Sequence, residues 1–260
     1  MIDIHSHILQ GVDDGSEDLD MSIGMARMYL DNGIEEVIAT PHYIEKDEES
    51  LSRNTKALKI LEERLEEEAI PLKVYLGNEV YISMEVLEDI KESRVATLNG
   101  SRYVLLEFPM REVPIYAENV LYELLVNGYI PIIAHPERYI EIQKDPNILF
   151  QFLKNGALAQ LNLPSLEGLY GRGVKETAEL LVNHRMIQFV GTDSHTDRRR
   201  SPKVEDSLIA LKNMVSREQY RNLTYENASN VLKDKEFVPA RPIEYVEKKS
   251  FFSFLGFGKK

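Results

Sequence analysis

The chain contains no cysteine. That removes disulfides, thiolate zinc sites and every cysteine nucleophile, so phosphatase or protease chemistry through a thiolate is excluded. Basic residues are in deficit: 31 Lys and Arg face 43 Asp and Glu, a formal net charge of -12. Nucleic-acid binding needs a basic surface to meet phosphates, so no nucleic-acid partner is expected. A basic pocket for one small phosphate remains compatible with this charge. No apolar run is long enough to span a bilayer. No Gly-rich dinucleotide fingerprint follows any strand candidate, which weakens a Rossmann reading. Histidine motifs begin at residue 5 and leave no room for a secretory leader, so a cytoplasmic location is expected.

At 260 residues the chain can bury a sizeable core in one domain, or in two small ones. Short apolar runs at 1–4, 36–39, 73–76, 103–107, 130–134, 158–163 and 187–191 read as strands. Amphipathic stretches at 18–31, 51–69, 116–127 and 174–184 read as helices between them. Strands alternating with helices imply a parallel sheet in an α/β fold. Seven such units fit a closed or nearly closed TIM-like barrel better than an open doubly wound sheet. The pattern changes after Phe237. Residues 1–237 are expected to form the barrel, and 238–260 a tail rich in Phe and Lys. Such a tail has the composition for peripheral docking on an anionic membrane or in a partner groove. A flexible terminus is the plainer reading.

Five of the six histidines lie in short motifs: His5-Ser6-His7, Thr40-Pro41-His42, Ala134-His135-Pro136-Glu137-Arg138 and Asp193-Ser194-His195. His-x-His on a strand puts both imidazoles on one face, because side chains alternate with period two. Mixed histidine and carboxylate sets suit Zn, Mn or Fe. Singly, each motif has a plain structural reading. Asp13-Asp14 fits a helix N-terminal turn, which remains a good reading for Asp13 and Ser16, while Asp14 is preferred as a ligand. His42 fits a turn, Glu79 a solvated loop and His135 a satisfied core histidine. Glu107 is more telling, because it ends the apolar run Val104-Leu105-Leu106 and a buried carboxylate needs a partner. His184 reads as structural at a helix C-terminus. Tyr43, Tyr81, Tyr116 and Tyr139 are expected near the mouth, as pocket walls or as packing residues. Together His5, His7, His42, Glu79, Glu107, His135, Asp193 and His195 fall at or just past successive strand ends. In a β/α barrel those ends share one mouth, where active sites lie. If those ends converge in space, the set is that of a multinuclear metallohydrolase.

In that order, His5-x-His7, Asp14, His42, Glu79, Glu107, His135 and Asp193-x-His195 resemble the polymerase-and-histidinol-phosphatase (PHP) superfamily. Within it the chain looks most like the bacterial manganese-dependent tyrosine phosphatases of capsule and exopolysaccharide loci. The likeness spans roughly residues 1–235. It implies a distorted (β/α)7 barrel with up to three divalent metal ions, Mn foremost, with Fe and Zn sharing the ligands. By this resemblance His5, His7, Glu79 and Asp193 hold the first metal. Glu79 bridges to a second, held also by Glu107 and His135. Asp14, His42 and His195 hold the third. Arg138 matches an arginine that contacts substrate phosphate. A second such arginine falls within Arg198-Arg199-Arg200, with register favouring Arg200. The implied activity is phosphotyrosine hydrolysis, on the tyrosine-rich tail of a bacterial tyrosine kinase that regulates capsule synthesis. The competing readings are a small-metabolite phosphatase of the histidinol-phosphatase type, a generic amidohydrolase, a proofreading exonuclease module and a non-catalytic kinase-binding regulator.

Overall fold

The computed structural model describes residues 1–247. The strands are β1 (Ile2–Ser6), β2 (Glu36–Ala39), β3 (His42–Tyr43), β4 (Lys73–Leu76), β5 (Glu79–Tyr81), β6 (Tyr103–Glu107), β7 (Ile130–Ala134), β8 (Leu158–Asn162) and β9 (Phe189–Gly191). Every pairing is parallel. Each of the seven expected segments overlaps one of these strands, although β1 runs two residues past its expected end. The expected α/β class with parallel sheets is therefore the one observed.

The strands nevertheless form two sheets, β1-β2-β4 and β3-β5-β6-β7-β8-β9. No closed ladder is present among the described residues. Two breaks cause the split, one at Thr40-Pro41 between β2 and β3 and one at Gly77-Asn78 between β4 and β5. Pro41 has no N–H to give to a ladder, so pairing stops there. The breaks lie side by side: Gly77 N donates to Ala39 O at 2.8 Å, and the Asn78 side-chain amide donates to Pro41 O at 2.9 Å. The free edges of β1 and β9 also meet. Asp193 N donates to His5 O and His7 N to Ser194 O, each at 2.9 Å. The pieces β3 and β5 have two and three residues, too few to show a period in sequence.

Alternation along the strands separates two cores. Tyr103 and Leu105 of β6, Ile132 and Ala134 of β7, Leu158 of β8 and Phe189 of β9 form the inner one. Glu107 continues the Tyr103–Leu105 face, and Gln160 and Asn162 continue the Leu158 face, because side chains repeat every second residue. The inner apolar floor thus turns into a polar mouth at the strand C-terminal ends. Helices supply the outer core. The helix Leu19–Asp31 buries Met21, Met25, Ala26 and Tyr29 at helical spacing and is capped by Asp18, which accepts from Met21 N. Tyr29 then reaches beneath the mouth, donating to Ser6 Oγ at 2.7 Å and lying 3.1 Å from Thr192 Oγ1. One helix therefore pins the end of β1 to the end of β9.

Residues 238–247 run along the domain surface. Ile243 N donates to His184 O, and the Asn147 amide group exchanges two hydrogen bonds with the Tyr245 backbone at 2.9 Å each. His184 ends the helix Arg172–Asn183 and its ring stands edge-on to Tyr245. The Phe- and Lys-rich segment 248–260, expected to be the docking part of the tail, lies outside the described residues. No helix among the described residues is long and apolar enough to cross a membrane.

Candidate metal centre

The strand ends bring all nine sequence-predicted donor residues into one cluster. His5 Nε2 and His7 Nε2 are 3.3 Å apart. Glu79 Oε2 stands 3.1 Å from the first and 3.3 Å from the second. Asp193 Oδ1 is 3.6 Å from both. The other oxygen of Glu79 faces a different way: Oε1 lies 2.8 Å from His135 Nε2, which is 3.7 Å from Glu107 Oε1. A third group sits nearer solvent, with Asp14 Oδ1 3.4 Å from both His42 Nε2 and His195 Nε2. His42 Nδ1 also approaches Glu79 Oε2, at 3.1 Å. Glu79 is thus the hub, and its two oxygens divide the cluster.

Backbone geometry aims these donors. His135 and Asp193, each one or two residues past a strand end, have φ of 32° and 50°. Non-glycine residues rarely adopt this left-handed region, and its strain collects at functional sites. Each turns its side chain back over the sheet end instead of letting the strand run on. The Asp13–Gly15 loop closes over His7 so tightly that a Cβ on Gly15 would lie 2.3 Å from His7 O. Only glycine admits that approach.

Burial with opposite charge sets the electrostatics. Burial alone would raise the Glu79 carboxyl, but His5, His135 and His7 around it hold it well below the carboxylate range. Asp193 is lowered by His5, Arg200 and His195 against its own burial. Asp14 is lowered by the His195 and His42 imidazoles that approach its carboxylate, against its partial burial. Glu107 goes the other way: burial and the charge of Glu79 push it up to about 7. Burial pulls His135 down to about 4, leaving a neutral imidazole, the form that ligates metals. His7 is raised well above its ordinary value by Asp13 and Glu79, which together outweigh its burial.

The donor set fits divalent cations. It offers imidazole nitrogens and carboxylate oxygens in overlapping groups of three and four, the ligand types of Mn, Fe and Zn sites. The buried His195 Nε2 makes no hydrogen bond, and a buried polar atom without a partner is costly. A cation shared with Asp14 would satisfy it. Several rings are also braced from behind. His5 Nδ1 is 2.9 Å from Gln160 Oε1, His7 Nδ1 is 2.7 Å from Asp13 Oδ2, and His195 Nδ1 is 3.0 Å from Asp193 O. Such contacts leave the Nε2 lone pairs for a metal.

Two arginines close the inner side. Arg138 Nη1 lies 3.0 Å from Asp193 Oδ2, and Arg200 Nη2 is 2.8 Å from both Asp193 oxygens. Arg198 and Arg199 are exposed, and Arg198 pairs with Asp197. Of the triplet, the fold brings Arg200 alone to the cluster.

The expectation for Asp13 is corrected. The helix cap is Asp18, five residues on, and Asp13 instead accepts from His42 N and Gly15 N while bracing His7. Sequence reasoning finds no obvious ligand on β8, and none of the donor groups includes a β8 residue. Gln160 and Asn162 nevertheless link two of the candidate donors: Asn162 Nδ2 donates to Asp193 Oδ2 at 2.6 Å, and Gln160, which faces His5, donates through Nε2 to Asn162 Oδ1 at 3.0 Å. Polar residues at alternate positions of an otherwise apolar strand were the signal available. Of the four expected mouth tyrosines, Tyr43 and Tyr139 are buried packing residues. Tyr81 is 38% exposed and pairs in register with Glu107, and Tyr116 hydrogen-bonds Ile82 O. Tyr170, not singled out from sequence, lies with its ring under the Arg138 guanidinium, 4.7 Å from its carbon.

A parallel α/β scaffold that gathers five histidines, four carboxylates and two arginines at its strand ends has the arrangement of a metal-dependent hydrolase acting on an anion. Residues 1–233 match the family described as capsular polysaccharide synthesis, CpsB/CapC, and the chain belongs to that family. The tyrosine-protein phosphatase YwqE of Bacillus subtilis is 38% identical over 98% of this chain and 100% of its own length. The putative tyrosine-protein phosphatase CapC of Staphylococcus aureus is 30% identical over 98% and 100%. A crystal structure from work on YwqE of Bacillus subtilis and CpsB of Streptococcus pneumoniae, there called unique metal-dependent tyrosine phosphatases, superposes with a TM-score of 0.88. It is 36% identical over 95% of this chain and 100% of that one. A β-aspartyl dipeptidase from Fervidobacterium islandicum shares the fold alone, with a TM-score of 0.51 and 12% identity.

Proposed function

We propose that this chain is a metal-dependent protein-tyrosine phosphatase, and that its substrate is the phosphotyrosine-bearing tail of a bacterial tyrosine kinase controlling capsule or exopolysaccharide synthesis. The observation that carries the reading is the meeting of Arg138 and Arg200 with the nine-residue donor cluster at Asp193. Family membership and the names of the full-length relatives support it. We further read the two sheets as one distorted seven-unit barrel. The β1–β9 edge contacts and the single bridge between Ser6 and Ser194 support that reading.

Three divalent cations, Mn foremost, would be held by His5, His7, Glu79 and Asp193, by Glu79, Glu107 and His135, and by Asp14, His42 and His195. When bound they would neutralise charge on the phosphoryl oxygens and activate the attacking water. The protein's own part is to hold and orient. Glu79 presents one oxygen to each of two donor groups and so fixes their separation. Arg138 and Arg200 supply planar donors that match phosphate oxygens in bidentate fashion, a role lysine fills less well. Phenolate leaves with a pKa near ~10 and needs little proton assistance. With no cysteine in the chain, no thiophosphate intermediate forms.

The test is hydrolysis of a phosphotyrosine peptide beside histidinol phosphate and p-nitrophenyl phosphate. Excess chelator should abolish turnover and added Mn should restore it. Activity that persists in chelator defeats the metal-dependent reading. Preference for histidinol phosphate over the peptide defeats the tyrosine-phosphatase reading in favour of a metabolite phosphatase.

A further inference from the structure

Tyr170 stands in the loop between the turn Leu163–Glu167 and the helix Arg172–Asn183, past the end of β8. Gly168 and Gly171 flank it with φ of 87° and 99°, a left-handed backbone that lets two reversals follow within four residues. The reversals turn the Tyr170 ring inward. The loop is fastened at its root. Ser165 Oγ donates to Glu137 Oε1 at 2.7 Å, and Ser207 hydrogen-bonds Glu167. Glu137 is the residue before Arg138, and its Oε1 also accepts from Asn162 N at 3.1 Å. The loop that carries Tyr170 and the turn that carries Arg138 are therefore tied through one buried carboxylate.

The Arg138 guanidinium lies over the Tyr170 ring, its carbon 4.7 Å from the ring centroid. It spans the space between that ring and Asp193. Arginine has several rotatable bonds, and freezing them costs conformational entropy. A ring against one guanidinium face removes part of that freedom before any ligand arrives. The Tyr170 hydroxyl, by contrast, is buried and makes no hydrogen bond. Its ring, not its hydroxyl, has the contact.

From this geometry we infer that Tyr170 is a positioning residue for Arg138: its ring holds the guanidinium flat, so that the donor edge faces the phosphate of the substrate. This rests on the phosphatase reading given above for the assignment of Arg138 to phosphate. A substrate aryl phosphate and free phosphate present the same oxygens to that edge, so both should feel the loss of the ring.

The experiment compares wild type with Tyr170→Leu, Tyr170→Phe, Arg138→Ala and the Arg138→Ala/Tyr170→Leu double variant, all in Mn. The readouts are kcat/KM on p-nitrophenyl phosphate, inorganic phosphate affinity by calorimetry, and metal per chain. Tyr170→Leu should lower kcat/KM and weaken phosphate binding in parallel, each by roughly tenfold, the order a shielded cation–π contact carries. Tyr170→Phe should recover most of both losses. In the Arg138→Ala background Tyr170→Leu should add less than about twofold, because coupled residues are not additive. Metal content should stay at the wild-type value throughout. Three results would overturn the inference: Tyr170→Leu close to wild type in phosphate affinity, Tyr170→Phe as impaired as Tyr170→Leu, or the full loss retained without Arg138. If wild type binds phosphate and the variants show this pattern in phosphate affinity alone, with no phosphomonoester hydrolysed, the phosphatase reading fails and the positioning role stands.

Discussion

Gln160 Oε1 lies 2.9 Å from His5 Nδ1, with both residues fully buried. An amide oxygen can only accept, so Nδ1 of His5 carries a proton towards Gln160, and Nε2 is the nitrogen turned to Glu79, His7 and Asp193. The remaining amide nitrogen of Gln160 is committed to Asn162, whose own amide holds Asp193. A strand that offers no candidate donor thus orients two of them.

Replacing Gln160 by Leu removes the acceptor and frees the His5 ring to change tautomer. Metal affinity, followed by chelator competition, should fall about 10- to 100-fold, the range for loss of a hydrogen bond behind a ligating histidine. Unchanged affinity would mean that the ring is fixed by packing alone.

Arg198, Arg199 and Arg200 are indistinguishable by type but not by place. Arg200→Ala should cut kcat/KM on a phosphotyrosine peptide by roughly 100-fold, as removal of a charge-stabilising donor does. Arg198→Ala should stay within about twofold, since that side chain is 80% exposed. Equal losses from both would assign Arg200 a structural role only.

Asp3 is completely buried beneath the cluster, and burial pushes its carboxyl up to about 6 despite hydrogen bonds from Thr192 and His5. An acid raised in the folded state favours folding while protonated. That stability is fully present below the unfolded value near ~4 and is lost as pH rises through about 6. The change is on the order of 3 kcal/mol. Asp3→Asn cannot ionise, so in excess chelator its stability relative to wild type should rise between those pH values and then level off. Denaturant melts across pH give the comparison, and a flat difference would refute the assignment.

Gly15→Ala places a methyl within 2.3 Å of a backbone oxygen and 2.5 Å of the His7 Cβ, neither of which can move away cheaply. The Asp13–Asp14 loop should lift. We expect a loss of roughly 2 kcal/mol in stability, the usual cost of overpacking. Metal per chain should also drop as Asp14 leaves His42 and His195. Full metal content in the variant would show that Asp14 is not needed to hold a cation.

The strand positions were legible because seven apolar runs are long enough to show their character, and the helix Leu19–Asp31 because its apolar residues recur at helical spacing. The pieces β3 and β5 were not. Two or three residues carry no period, and their pairing is set by neighbours that other parts of the chain supply. The division into two sheets was hidden for the same reason. It follows from Pro41 lying opposite Gly77-Asn78, a register visible only once the strands have paired.

Sequence by itself determined which residues could serve. With no cysteine, any metal donors had to be histidines and carboxylates, and their recurrence at successive strand ends made one shared site the economical reading. Tertiary structure decided what sequence spacing cannot carry. It chose Arg200 over its two neighbours, moved Asp13 from a helix end to the back of His7, and brought Gln160, Asn162 and Tyr170 to the site. Donor identity is a property of single side chains and survives in a string. The bracing of one ring, or the facing of one guanidinium, depends on groups up to 155 positions apart, and only folding sets their distance.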